Sequence, residues 1–307
     1  MTGKNLFFLG LILAAGGVFS PPLALVAGIA YGMAVRHPYH LDAQRLSRLL
    51  LQASVVALGF GIPLAEVIRV GRSGALYTAG SIAFAVAMGL LLGRALRVRA
   101  GSSYLITIGT AVCGGSAIAA VAPISRASDE DMAVSLGTVF LLNSVALVLF
   151  PLVGHAAGLT QEQFGLWAAL AIHDTSSVVG AAARYGAVAL AVGTTVKLAR
   201  ALWIVPVSVA TAVTTKSKTR IRWPWFIGLF CLAALANTLL PRFHGAFLEL
   251  NRLGRVGLTV TLFLIGTGIT RKTLREVGVR PMVQGLALWL VVATGSLALI
   301  RAGVLGL

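Results

Sequence analysis

Apolar runs follow one another along almost the whole chain, from Leu6 to Ile300, and most are about the length that crosses a bilayer as a helix. Charged residues make up 11% of the 307 residues and hydrophobic residues 58%. Mean hydropathy is +0.91. A soluble domain carries roughly 25% charged residues, so this composition cannot cover a water-facing surface. The chain reads as an all-α polytopic membrane protein, a single transmembrane domain over 1–307. The first run, Leu6 to Phe19, has a lone Lys4 before it and no small-residue cleavage site, and reads as a retained helix.

The runs parse into about eleven spans, near 5–20, 22–35, 46–64, 74–93, 103–124, 132–153, 164–183, 190–213, 223–240, 254–269 and 282–301. Loops on the N-terminal side then carry fifteen Lys and Arg, and the opposite loops carry eight. By the positive-inside rule this places the N-terminus in the cytoplasm and the C-terminus outside. The net charge of +16 is thus a topology signal and not a nucleic-acid footprint. Cys113 and Cys231 stand apart in apolar segments, and no CxxC or Cys/His cluster suggests a metal or a disulfide.

Gly59-Phe60-Gly61-Ile62 with Val70-Gly71 matches Gly266-Thr267-Gly268-Ile269 with Val277-Gly278 at a constant offset of 207. These are the third and tenth spans, which run in opposite directions. Inverted repeats of this kind build many secondary transporters.

Four charged or titratable residues sit at membrane depth. His173 and Asp174 open a polar cluster that continues through Ser176 and Ser177. Lys197 and Arg200 follow in the next span, three residues apart and so on one helix face. Ionised groups at this depth are costly and normally face a protein interior or a wet cavity. Two cations beside an acid and an imidazole suggest a site that handles an anion and a proton. Arg200 suits a planar two-point grip on an oxyanion and Lys197 a point charge, with Asp174 and His173 coupling the site to protons. An ion pair from Lys197 or Arg200 to Asp174 that merely staples two helices is the structural alternative. For His173 the alternative is neutral packing.

The segment Thr110-Ala111-Val112-Cys113-Gly114-Gly115-Ser116 is rich in small and polar residues inside an apolar run. Its glycines predict an interrupted helix whose free N–H groups and positive dipole end face an anion. Close helix packing through small residues is the alternative. Ser116-Ala-Ile-Ala-Ala also aligns with Ser177-Val-Val-Gly-Ala. In an eleven-span count the two segments run parallel, which an inverted repeat does not allow; either one is a re-entrant hairpin or the likeness is convergent. Ser128-Asp129-Glu130-Asp131 reads as an N-cap box.

The Cys113-Gly-Gly-Ser-Ala-Ile-Ala-Ala block ending in Pro123 and the His173-acid-x-Ser-x-Val-Val block resemble the YeiH-like family, whose members are labelled sulfate exporters. The Lys197-x-x-Arg200 helix ending at Pro206 and the Gly266-Thr-Gly268 segment complete the resemblance, which covers nearly the whole chain. Other members carry Glu after the histidine; Asp174 retracts the charge by one methylene. The resemblance implies interrupted core helices crossing at mid-membrane and an elevator-like core moving against a scaffold. It implies sulfate or a small organosulfonate as cargo, and a bacterial inner membrane as location.

The leading expectation is a proton-coupled secondary transporter of a small anion, not an enzyme. A cation/proton antiporter built on Asp174 is the alternative. An intramembrane hydrolase would have to use His173 with Ser176 or Ser177, unsupported by any HExxH or GxSxG motif. No nucleotide-binding loop or other cofactor motif is present. Expected partners are the small anion, protons and lipid, not nucleic acid; a homodimer is left open. The parse predicts that a reporter fused after Leu307 lies outside the cell, and a cytoplasmic reporter would remove one span from it.

Overall fold

The computed structural model describes residues 3–35, 40–216, 225–268 and 278–306. The described residues form α-helices and no strand. In chain order the helices are α1 (Gly3–Ala15), α2 (Pro21–Ala34), α3 (His40–Gly59), α4 (Leu64–Ala95), α5 (Ala100–Ala111), α6 (Gly115–Ser125) and α7 (Asp129–Ala156). Then come α8 (Gln161–Ala171), α9 (Thr175–Tyr185), α10 (Ala187–Ala201), α11 (Ile204–Thr215), α12 (Trp225–Leu239), α13 (His244–Thr267) and α14 (Val279–Arg301). Of the internal repeat, Ile269 and Val277 lie outside the described residues, as do the loop cations Arg36, Lys218, Arg220, Arg222, Arg271, Lys272 and Arg275.

Among the described residues, four stretches are each long and apolar enough to cross a membrane: Thr78–Ala95, Glu130–Ala156, Ala187–Thr215 and Val279–Arg301. The pair Trp225–Leu239 and Pro241–Thr267, bent by 100°, makes a fifth if it counts as one span.

Both expected interruptions are present. α5 ends at Ala111 and α6 begins at Gly115; α8 ends at Ala171 and α9 begins at Thr175. Neither segment continues straight on, however, and this corrects the reading of 103–124 and 164–183 as spans. In the second segment the Tyr185 hydroxyl donates to the Leu159 carbonyl at 2.7 Å, and the Val188 N–H donates to Gln161 Oε1 at 3.0 Å. The rings of Phe164 and Tyr185 stack with centroids 3.8 Å apart. α9 therefore folds back along α8, and the pair is a helical hairpin.

The first segment does the same. α7 starts three residues after α6, and its first turn lies beside the start of α5. Ser102 Oγ donates to Asp131 Oδ1 at 2.6 Å, Ser135 Oγ donates to the Ser102 carbonyl at 3.1 Å, and Arg99 pairs with Glu130 at 2.7 Å. Ser128 and Asp131 make the expected capping box that starts α7 at this point. The sequence could not separate the two geometries, because about 22 apolar residues suit a straight span and a folded pair alike.

The hairpins enter from opposite ends. α7 carries the chain from the base of the first to the base of the second, where His155 stacks on Tyr185 at 4.2 Å. Its 28 residues span about 42 Å. Hairpin arms of 11 or 12 residues reach about 17 Å each, so the two tips meet near the middle. They touch closely there: Gly114, at φ 68°, lies so near Asp174 that a Cβ on it would sit 3.0 Å from the Asp174 Cβ. Only glycine adopts that backbone without strain. Opposed entry also removes the conflict over direction between the Ser116 and Ser177 segments.

Helices pack as two bodies. α13 lies against α2 and α3, with α12 on α3 and α1 on α13; α4, both hairpins, α7, α10 and α14 pack on one another. Contacts between the bodies are sparse by comparison. α14 braces both hairpins, through Gln284 Nε2 to Ser103 Oγ at 3.0 Å and through the Ala293 carbonyl, which accepts from Trp167 Nε1 at 2.9 Å.

The hairpin geometry predicts that cysteines at Gln161 and Val188 form a disulfide on mild oxidation. A straight helix would hold those positions roughly 40 Å apart, and absence of the cross-link in folded protein would contradict the hairpin.

Candidate functional site

A chain that reverses at mid-depth leaves helix ends in a dry place, and each end needs partners. The carbonyl ends find them in α10. Lys197 Nζ donates to the carbonyls of Ile172 at 2.6 Å and Ala169 at 3.2 Å, at the C-terminus of α8. Arg200 Nε donates to the carbonyls of Ala111 at 2.8 Å and Val112 at 3.0 Å, at the C-terminus of α5, while Nη1 donates to Ser81 Oγ at 3.0 Å. Both side chains are 0% exposed. Their spacing on one face of α10 lets a single helix cap both hairpins, each cation against the negative end of a helix dipole.

Among the described residues neither cation pairs with Asp174, so the alternative of a Lys197–Asp174 or Arg200–Asp174 ion pair stapling two helices is not what holds this region together. Asp174 instead caps the N-terminus of α9. Its Oδ1 accepts from the Ser177 N–H at 2.6 Å and from Ser176 Oγ at 3.0 Å. Its Oδ2 accepts from Asn143 Nδ2 at 2.7 Å. The other end of that amide, Asn143 Oδ1, accepts from the His173 N–H at 3.1 Å. His173 is 1% exposed, and among the described residues neither ring nitrogen has a hydrogen-bond partner.

The N-terminus of α6 is arranged differently. Its N-cap is Gly114, which offers no side chain. The first N–H groups of α6 and α9 have no intrahelical acceptor, and both helix starts open on one cavity of about 600 Å³ lined by Gly115, Ser116, Thr175 and Ser176. Cys113 and Asp174 complete the tip side of the cavity. The opposite wall comes from the other packed body, with Gln52 of α3, Trp225 and Phe226 of α12, and Leu264 of α13.

Of the residues singled out by sequence, Cys113, Gly115, Ser116, Asp174 and Ser176 line the cavity. Thr110, Gly114, His173, Ser177, Lys197 and Arg200 do not; they build the tips and caps behind it. Direct contact of Lys197 and Arg200 with a bound anion, as expected from their charge, does not match this placement. Asn143 was missed because one neutral amide inside the apolar run of α7 gives no signal of charge or spacing. Thr175 was missed as one more small polar residue in a polar cluster.

Residues 8–285 match the family model described as Conserved hypothetical protein 698. A UPF0324 membrane protein of Geobacter sulfurreducens is 47% identical over 305 residues, covering 98% of each chain. One from Porphyromonas gingivalis is 48% identical over 289 residues, covering 92% of this chain and 87% of that one. One from Vibrio vulnificus is 42% identical over 305 residues, covering 97% and 98%. No solved structure matches the chain.

The capping arrangement predicts that Lys197→Met and Arg200→Met each destabilise the protein by about 3 kcal/mol, since each strips buried carbonyls of their donor. Melting temperature in detergent should fall by several degrees. An unchanged value for both variants would contradict the capping role.

Proposed function

The chain belongs to the Conserved hypothetical protein 698 family, the YeiH-like membrane proteins, and for this member of it we propose secondary transport of a small inorganic or organic anion, coupled to protons. Sulfate or a sulfonate suits the site. The observation that carries the reading is the convergence of two helix N-termini, from two opposed hairpins, on one cavity. Helix N-termini offer N–H donors and positive partial charge to an anion. Lys197 and Arg200 support this without touching the cargo. By neutralising the carbonyl ends of α8 and α5 they leave the positive ends to dominate the field at the tips.

Asp174 supplies the coupling. Its carboxylate holds the α9 N-terminus that an anion would use. Protonation weakens that hold, so anion binding and proton uptake go together. His173, whose ring has no hydrogen-bond partner among the described residues, shapes the tip and is the candidate for proton relay by adjacency alone.

The finer architecture follows from the same reading. Two hairpins entering from opposite sides turn eleven apolar runs into nine crossings, keep the chain ends on opposite sides, and move Arg126 to the more basic side. The inverted repeat then relates α3 to α13 and one hairpin to the other. The body built of α1–α3, α12 and α13 serves as scaffold, and the hairpin body carries the cargo in an elevator-like motion.

Cation/proton antiport is the second reading, favoured by the Asp174 carboxylate on the cavity wall beside Ser116, Thr175 and Ser176. At the hairpin tips, two buried cations, Lys197 and Arg200, against the one acid Asp174 weigh toward the anion. A hydrolase has no support, since Ser176 donates to Asp174 and the His173 ring bonds neither serine.

Ligand binding raises the melting temperature by linkage. A panel of salts in detergent should show stabilisation by sulfate or methanesulfonate at constant ionic strength and cation; stabilisation by particular alkali cations alone would overturn the anion reading. In vesicles, Asp174→Asn should transport without the parental response to a pH gradient.

A further inference from the structure

Asn143 sits on α7, 2% exposed, and reaches the tip of the second hairpin with both ends of its amide. The partners fix which end is which. A backbone N–H only donates and an ionised carboxylate only accepts, so a flipped amide would lose both bonds. Asp174 Oδ1 already accepts from Ser176 Oγ and the Ser177 N–H. Oδ2 has Asn143 as its one donor among the described residues. The second lone pair of Oδ2 is therefore where a proton can be added without displacing a donor, and the Asn143 bond sets which way that lone pair faces.

We propose that Asn143 is the positioning residue of the proton-coupling site, setting the pH at which Asp174 takes up its proton. The inference rests on the reading of Asp174 as the coupling group. A donor to a carboxylate favours the ionised form, and this donor comes from α7, the helix that joins the two hairpin bases. The bond to the His173 N–H holds the amide at the angle from which Nδ2 can donate. Among the described residues the other ionisable groups near Asp174 are His173 on the same tip, Cys113 on the opposed tip and Lys197 on α10, with Arg200 beside Lys197. None of them hydrogen-bonds its carboxylate.

Infrared spectroscopy of the full chain in lipid nanodiscs follows protonated carboxyl groups directly and needs no substrate. The band lost in Asp174→Asn assigns the Asp174 signal, and its intensity is read across a pH series. In Asn143→Ala the midpoint should move to higher pH, because the ionised form loses a donor. Asn143→Asp keeps an acceptor for the His173 N–H but sets a second carboxylate against the first, so the pair shares a proton and the midpoint moves further. A purely structural anchor would lower stability in Asn143→Ala and leave the midpoint in place. An Asp174 band that titrates with the parental midpoint in either folded variant overturns the inference and leaves the coupling reading intact. An Asp174 group that never titrates overturns the coupling reading and this inference together.

Discussion

Everything in this fold answers one constraint: a chain that turns back at mid-depth leaves unpaired carbonyls and N–H groups where water does not reach. Each such group costs roughly a kilocalorie or more if left alone. The carbonyl ends of α5 and α8 are closed by Arg200 and Lys197, both reaching from one face of α10. Remove α10 and neither hairpin has a stable tip. The bases are held separately, the first by Ser102 and Asp131, the second by Tyr185 and Gln161.

The N–H ends are treated unequally. α9 has Asp174 as its cap, and α6 begins at a glycine with no side chain to offer. If every end were sealed, the tips would be inert. The start of α6 leaves N–H donors facing the cavity without a side-chain cap, while the start of α9 is held by the Asp174 carboxylate. The cavity at these starts is walled on its far side by the other packed body, so relative movement of the bodies would open or close it.

Much of this was legible in the sequence, and the limits have physical causes. Breaks at Cys113–Ser116 and His173–Ser177 were visible because small and polar residues at membrane depth need a reason. Lys197 and Arg200 were visible because charge there is costly. Their role was not, since charge alone does not say whether a cation meets a ligand or a helix end. Hairpins could not be told from spans by length. Two glycines of the matched segments sit at close packing contacts: Gly59 lies close against the Phe230 carbonyl, and Gly266 close against that of Leu25. A Cβ at either position would collide with backbone, which explains glycine at both.

The central claim is that the starts of α6 and α9 form one anion site. Hydrogen exchange of the purified full chain, with sulfate or methanesulfonate against chloride at matched ionic strength, tests it at the backbone. The account predicts that amides at Gly115–Ser116 and at Thr175–Ser176 slow together when the bound anion is present. Slowing at one tip only, or at neither while the anion still stabilises the protein, would contradict it.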